Sequence, residues 1–160
     1  MTVQYTPVNV EYINPFLAAA LDVFRVMLEC DVKRGTPYLK GSVQPDHEIS
    51  GVIGLTGKAI GTVVLSLGRE AALTATGVML GEKPTEINAD VIDAVGELTN
   101  MIAGNAKAAL ERLEMSISLP NVIVGRNHSV EFPTGVTPIG LPLECDWGPI
   151  SLSVGLCETP

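Results

Sequence analysis

Apolar residues crowd the stretch FLAAALDVFRVMLE that follows Asn14-Pro15, and only Asp22, Arg25 and Glu29 interrupt them with charge. Those three fall at spacings of three and four, so on a helix they form one narrow polar stripe. Proline in the first helical turn loses no hydrogen bond, and Asn14 is suited to cap the free amides, which predicts a helix over residues 15–29 that is mostly buried. The pattern then changes to short runs rich in Val, Ile and Thr, punctuated by Gly: TPYLKGSV, HEISGVIGLTG and AIGTVVLSLG. These read as strands, the last two joined by a tight hairpin at Thr56-Gly57-Lys58. A helix returns over REAALTATGVML and stops at Gly81, followed by a proline-containing loop to Ile87.

A second long helix, ADVIDAVGELTNMIAGNAKAALERLE, is predicted from a cap at Asn88 over residues 89–114, with Asp90 and Asp93 near its positive end. SISLPNVIVG reads as a further strand, and a loop carrying Asn127 and His128 follows. PIGLPLECDW and PISLSVGLCE form a last hairpin around the turn at residues 146–149. Helix then three strands, met twice, suggests an internal α-β-β-β pseudo-repeat. The expected class is α+β in two layers, long helices packed on an antiparallel sheet of about six strands, in one domain spanning residues 1–160.

Composition narrows the function classes. The 160 residues are 46% hydrophobic and 18% charged, a balance that excludes a disordered chain. Ten Lys and Arg against 18 Asp and Glu leave a net charge of −8, with no basic cluster to meet a phosphate backbone, so nucleic acid is not an expected partner. The longest uninterrupted apolar run is the six residues 16–21, against about 18 needed to cross a bilayer, so no membrane insertion is expected. The opening MTVQYTPVNVEYINP has no basic region followed by an apolar one, which points to a cytoplasmic protein. Cys30, Cys145 and Cys157 lack C-x-x-C spacing, and each is expected to be a small buried hydrophobe without a disulfide. His47 and His128 stand alone in sequence, so neither zinc nor another metal is expected on this chain.

Chemistry concentrates on the second long helix. At about 100° per residue, Asp90, Asp93, Glu97, Asn100, Gly104, Lys107 and Glu111 share an arc of about 100°. Val91, Val95, Leu98, Ile102, Ala106, Ala109 and Leu113 occupy the opposite side and face the core. Glu97 and Asn100 should therefore point outward one turn apart. A polar stripe is ordinarily a solvated face, but Gly104 in mid-helix costs about 1 kcal/mol relative to Ala, which suits a site where another backbone comes close. Met101 borders the stripe and supplies adaptable apolar contact.

The eight residues Asp93-Ala94-Val95-Gly96-Glu97-Leu98-Thr99-Asn100 fit the pattern Asp or Ser, three residues, Glu, two residues, Asn. With the flanks INPFLAAALDVFRVM and ELTNMIAGNAKAAL, the chain from Ile13 to the final hairpin resembles the CheX, CheC and FliY phosphatases of bacterial chemotaxis, most closely the CheX type. Over the equivalent stretch of the first helix stands Asp22-x-x-Arg25 and no Glu-x-x-Asn, so the resemblance implies one site per chain.

It also implies a CheC-like fold, a phosphorylated CheY-type response regulator as partner, and hydrolysis of the regulator's aspartyl phosphate in chemotaxis or a related two-component pathway. Asn100 would then orient the attacking water, Glu97 would engage a receiver Lys, and Asp93, Met101, Gly104 and Lys107 would belong to the docking face. No cofactor is implied on this chain, because the Mg²⁺ would sit on the receiver. One alternative is a catalytically inactive module that binds a receiver domain through the same helix face. Another is a hydrolase pairing Glu97 with a second carboxylate or with a cysteine, which no Gly-x-Ser-x-Gly elbow, P-loop or paired-carboxylate motif supports. The apolar composition, the exposed edges of short antiparallel strands and the resemblance all point to a homodimer formed near residues 138–158 or by the sheet edges. The charged stripe would stay open.

Overall fold

The computed structural model describes residues 10–40 and 46–160. The first helix, α1, runs over Val10–Leu28, five residues earlier than the proline suggested. Tyr12 and Ile13 are buried with Phe16, Leu17 and Ala20, so the core recruits one more turn ahead of Pro15. Asn14 is thus an exposed residue inside the helix and not its cap. The turn's burial offsets the single backbone hydrogen bond that Pro15 cannot donate. Near its other end Val26 and Met27 are exposed, so α1 buries one broad face and not its whole circumference.

Two two-residue strands follow, β1 (Lys33–Arg34) and β2 (Tyr38–Leu39), then β3 (Ile49–Thr56) and β4 (Ala59–Leu67). The strand expected over residues 36–43 is described only as far as Lys40, and within that part β2 pairs with β7. The hairpin between β3 and β4 turns at Gly57, whose φ of 142° a side chain would resist. Helix α2 (Arg69–Leu80) ends at left-handed Gly81 as expected. Helix α3 (Ala89–Ala109) is shorter than predicted: the backbone departs at Leu110 and makes a 3₁₀ turn at Glu111–Leu113. That break buries both Leu110 and Leu113 while leaving Ala109 exposed, and the Leu113 carbonyl accepts from Lys58 N–H at 3.0 Å.

The single strand expected from SISLPNVIVG is two, β5 (Ser116–Ile117) and β6 (Asn121–Val124). Pro120 has no N–H to extend the ladder, and at the gap Gly54 N–H donates to the Ser118 hydroxyl at 2.9 Å. The chain closes with β7 (Ile139–Glu144) and β8 (Ile150–Glu158).

The eight strands of the described residues make one antiparallel sheet in the order β1-β7-β8-β4-β3-β5, with β2 also on β7 and β6 also on β3. The expected count of about six was low because two short pairs cap the edges. The two hairpins meet at the centre, where β4 and β8 pair from Ala59↔Glu158 to Leu67↔Ile150. Each half contributes a helix, a split short strand and a hairpin, and each split strand caps the other half's hairpin. This is the arrangement of the suspected pseudo-repeat, with α2 between the copies. β8 lies between β4 and β7, and β7 carries β1 and β2, so the last hairpin offers no free backbone edge.

One sheet face carries Ile49, Ile53, Leu65, Leu67, Leu152 and Val154, which pack in the core with α1, α2 and α3. Gly51 on this face lets α3 descend close to β3, since a Cβ there would lie 2.0 Å from Thr99 Oγ1. Gly51→Ala should therefore lift α3 and lower stability by about 1–3 kcal/mol, read from the midpoint of urea unfolding. An unchanged midpoint would show that the contact yields freely.

The other face is polar and also covered. Ser50, Ser66, Ser151 and Ser153 are buried there, with Phe132 and Val136 over Gly155 and the Tyr38 ring over Gly140. A chain of hydrogen bonds crosses it: His47 N–H to Ser66 Oγ at 2.8 Å, Ser66 to Ser50 Oγ at 2.9 Å, and Ser50 to His128 Nε2 at 2.7 Å. His128 Nδ1 faces the Gly125 carbonyl at 2.6 Å and so is the donor nitrogen. The buried Lys40 ammonium pairs with Asp46, whose second oxygen accepts from Val130 N–H at 3.2 Å.

Candidate active site

Helix α3 begins where Asn88 caps it, its side chain accepting from Val91 N–H at 3.1 Å. Asp90 in the first turn and Lys107 in the last both suit the helix dipole. Val91, Val95, Leu98, Ile102 and Ala106 are completely buried, which sets the helix's rotation. Ala94, Gly96, Thr99 and Ala103 are buried too, because α3 is flanked by α1 and α2 as well as by the sheet.

With the rotation set, the predicted stripe points outward. Asp93, Glu97 and Lys107 are exposed, and Asn100, Met101 and Gly104 are half-buried along the same face. Glu97 and Asn100 are separated by about 4.5 Å along the helix axis. No side chain among the described residues hydrogen-bonds to or pairs with Asp93, Glu97, Asn100 or Lys107. The carboxylate and the amide are thus both available to an outside group. A Cβ at Gly104 would meet nothing within 4 Å, so among the described residues none makes the close approach that a mid-helix glycine suggested.

An apolar rim beside the stripe was missed in the sequence. Pro120 and Val122 lie over Gly96, next to Glu97, and carry the preceding Leu119 to a position where it is 86% exposed. Ile92, one turn before Gly96, is partly exposed as well. The Leu-Pro pair in SISLPNVIVG was the available signal.

A second correction concerns α1. Because the helix starts at Val10, it contains Glu11-x-x-Asn14, the spacing judged absent from it. The two settings differ. Glu11 is paired with Arg112 at 3.4 Å, and that guanidinium also lies 5.5 Å from the Tyr12 ring centre. Asn14 precedes Pro15 and lines a groove of about 680 Å³ with Arg34 and Thr36.

The hydrolase alternative finds no geometric support. Cys30 and Cys145 line a separate cleft with Glu29, Asp31, Glu144 and Asp146, and Glu97 is not part of it. The three cysteines are free and half-buried, where full burial was expected. Among the described residues, no group of three or more His, Cys, Asp or Glu is placed to hold a metal ion.

The sequence profile of chemotaxis phosphatase CheX matches residues 49–144, more than half of the chain. The chain belongs to the CheX family. The CheY-P phosphatase CheX of Thermotoga maritima is 29% identical over 122 residues, covering 74% of this chain and 79% of that protein. A CheC-like superfamily protein from Shewanella sp. PV-4 superposes with a TM-score of 0.87 at 33% identity, covering 94% of this chain and 99% of the other. The CheX-CheY-BeF3-Mg²⁺ complex from Borrelia burgdorferi contains a chain with a TM-score of 0.80 at 26% identity, covering 94% of this chain and all of that one. The family match establishes the CheC-like α+β fold, and no helix of the described residues is long and apolar enough to cross a membrane.

Proposed function

We propose that this CheX-family chain dephosphorylates the aspartyl phosphate of a CheY-type response regulator, with Glu97 and Asn100 as its working pair. The observation that carries the reading is the outward carboxylate and amide, without a side-chain partner among the described residues, one turn apart on a helix packed against α1, α2 and the sheet. An acyl phosphate is already activated, so hydrolysis needs little beyond a water held in line with the bond to be broken. The Asn100 amide can accept one hydrogen of that water and donate to its oxygen. As the water oxygen bonds to phosphorus, the receiver's aspartate leaves as carboxylate. Glu97 docks against a receiver Lys, and Asp93, Met101, Gly104 and Lys107 extend the contact, with Leu119 as an apolar shoulder.

Phosphoryl charge is neutralised in this reading by Mg²⁺ held on the receiver, so the chain brings no cofactor of its own. The relative from Borrelia burgdorferi, described as a CheX-CheY-BeF3-Mg²⁺ complex, supports the choice of partner. The reaction belongs in the cytoplasm, where such receivers act. The test is phosphate release from acetyl-phosphate-loaded receivers with and without this chain. Faster release supports the reading, and binding without release would make the chain a receiver-holding module.

Glu97→Ala should weaken receiver binding about tenfold, and Glu97→Lys more, while bound complexes still turn over. Unchanged affinity with collapsed turnover would move Glu97 into the chemistry itself. We also infer a homodimer joined at a sheet edge, through the outer sides of β1 and β2 or of β5 and β6, which leaves the α3 stripe open. Light scattering at micromolar concentration should give twice the chain mass, and a monomer would refute the pairing.

A further inference from the structure

We propose that Cys30 and Cys145 are a dithiol pair that closes reversibly to a disulfide, a modification site separate from the α3 stripe. The two residues come from opposite parts of the chain and line one open cleft of about 630 Å³ between the end of α1 and the β7–β8 turn. Backbone register brings them together. Lys33 of β1 pairs with Glu144 of β7, so Cys30 lies three residues before one member of that pair and Cys145 directly after the other. Cys30 is tied down by its own N–H, which donates to the Phe24 carbonyl at 3.1 Å just past left-handed Glu29. Cys145 is held by the turn, its Sγ 4.0 Å from the Gly148 carbonyl. Both are half-buried, which leaves small thiols within reach, and Cys157 stands elsewhere, on β8 opposite Ile60.

The setting also predicts the pace. Burial, the neighbouring Cys145 thiol, and the carboxylates of Asp31 and Asp146 push the Cys30 thiol up to about 11. Glu29, Glu144 and Lys33 complete the charged groups around the cleft. Closure with glutathione disulfide as oxidant is therefore slow at neutral pH. One thiolate attacks a sulfur of glutathione disulfide and expels a glutathione thiolate, and the second protein thiolate then displaces the glutathione left attached. The protein loses two electrons and two protons, and glutathione disulfide is reduced to two glutathione thiols.

The test treats the whole protein with excess glutathione disulfide in mildly alkaline buffer, then alkylates, digests and maps it by mass spectrometry. The expected product joins the Cys30 and Cys145 peptides, leaves Cys157 alkylated, lowers the titratable thiols from three to one and reverts with dithiothreitol. Cys157→Ser should give the same link, and Cys30→Ser should retain glutathione on Cys145. A wild-type product that keeps glutathione on either residue, a link through Cys157, or three thiols still free would each overturn the proposal.

Discussion

Asn100→Ala should leave the protein folded and lower its phosphatase rate by about 10²-fold or more, the loss expected when a reacting water is no longer held in place. Structure and activity separate at this residue because Asn100 is half-buried on the outward stripe and no described side chain depends on its amide. Alanine favours a helix interior over asparagine by about half a kcal/mol, so unfolding should need as much urea as before or slightly more. Receiver binding should change little, since Glu97 and its neighbours keep the docking contacts. The measurement is phosphate release at saturating receiver, set beside an unfolding curve of the same variant. Wild-type turnover with an intact fold would remove Asn100 from the mechanism, and loss of both would make the residue structural.

The pair at positions 97 and 100 was legible because helical phase depends only on spacing. Asn88 as cap and the buried series Val91, Val95, Leu98, Ile102 set the rotation of α3, and Asp93, Glu97 and Asn100 on the opposite arc had to face out. The hairpins were legible for a similar local reason, with Gly57 and the turn at residues 146–149 placed between β-rich runs. Local rules failed where distant contacts outvoted them. Proline chemistry favoured a helix start at Pro15, yet Tyr12 and Ile13 had a core to enter, and moving the start brought Glu11-x-x-Asn14 into α1. The ten residues SISLPNVIVG read as one strand, but Pro120 splits it, and the same split raises Leu119 beside Glu97. Strands two residues long, such as β1 and β2, carry no periodic signal and exist because β7 offers them an edge. The meeting of Cys30 with Cys145 likewise arises from register between residues more than a hundred positions apart.

Asp46→Ala should be the most damaging single change outside the helix face of the core, with a loss of about 3–5 kcal/mol. The Lys40 and Asp46 side chains are 5% and 1% exposed and pair with each other beneath the surface that covers the sheet's polar face. Removing the carboxylate strands the Lys40 ammonium without water or counter-charge, and it also frees the Val130 N–H that Asp46 holds at 3.2 Å. A buried ammonium and a part-buried amide lose their partner in one step. The cover should loosen with it, since the Asp46 N–H donates to the His128 carbonyl at 2.8 Å, and His128 in turn is bonded to Ser50. Lys40→Met in the Asp46→Ala background should recover a large part of the loss, because the unpaired charge is then gone and only the Val130 amide lacks an acceptor. The double-mutant cycle by urea unfolding measures this coupling directly. If the two losses simply add, the pair does not act as a unit, and the cover over the second sheet face is held by its apolar contacts at Phe132, Val136 and Tyr38 instead.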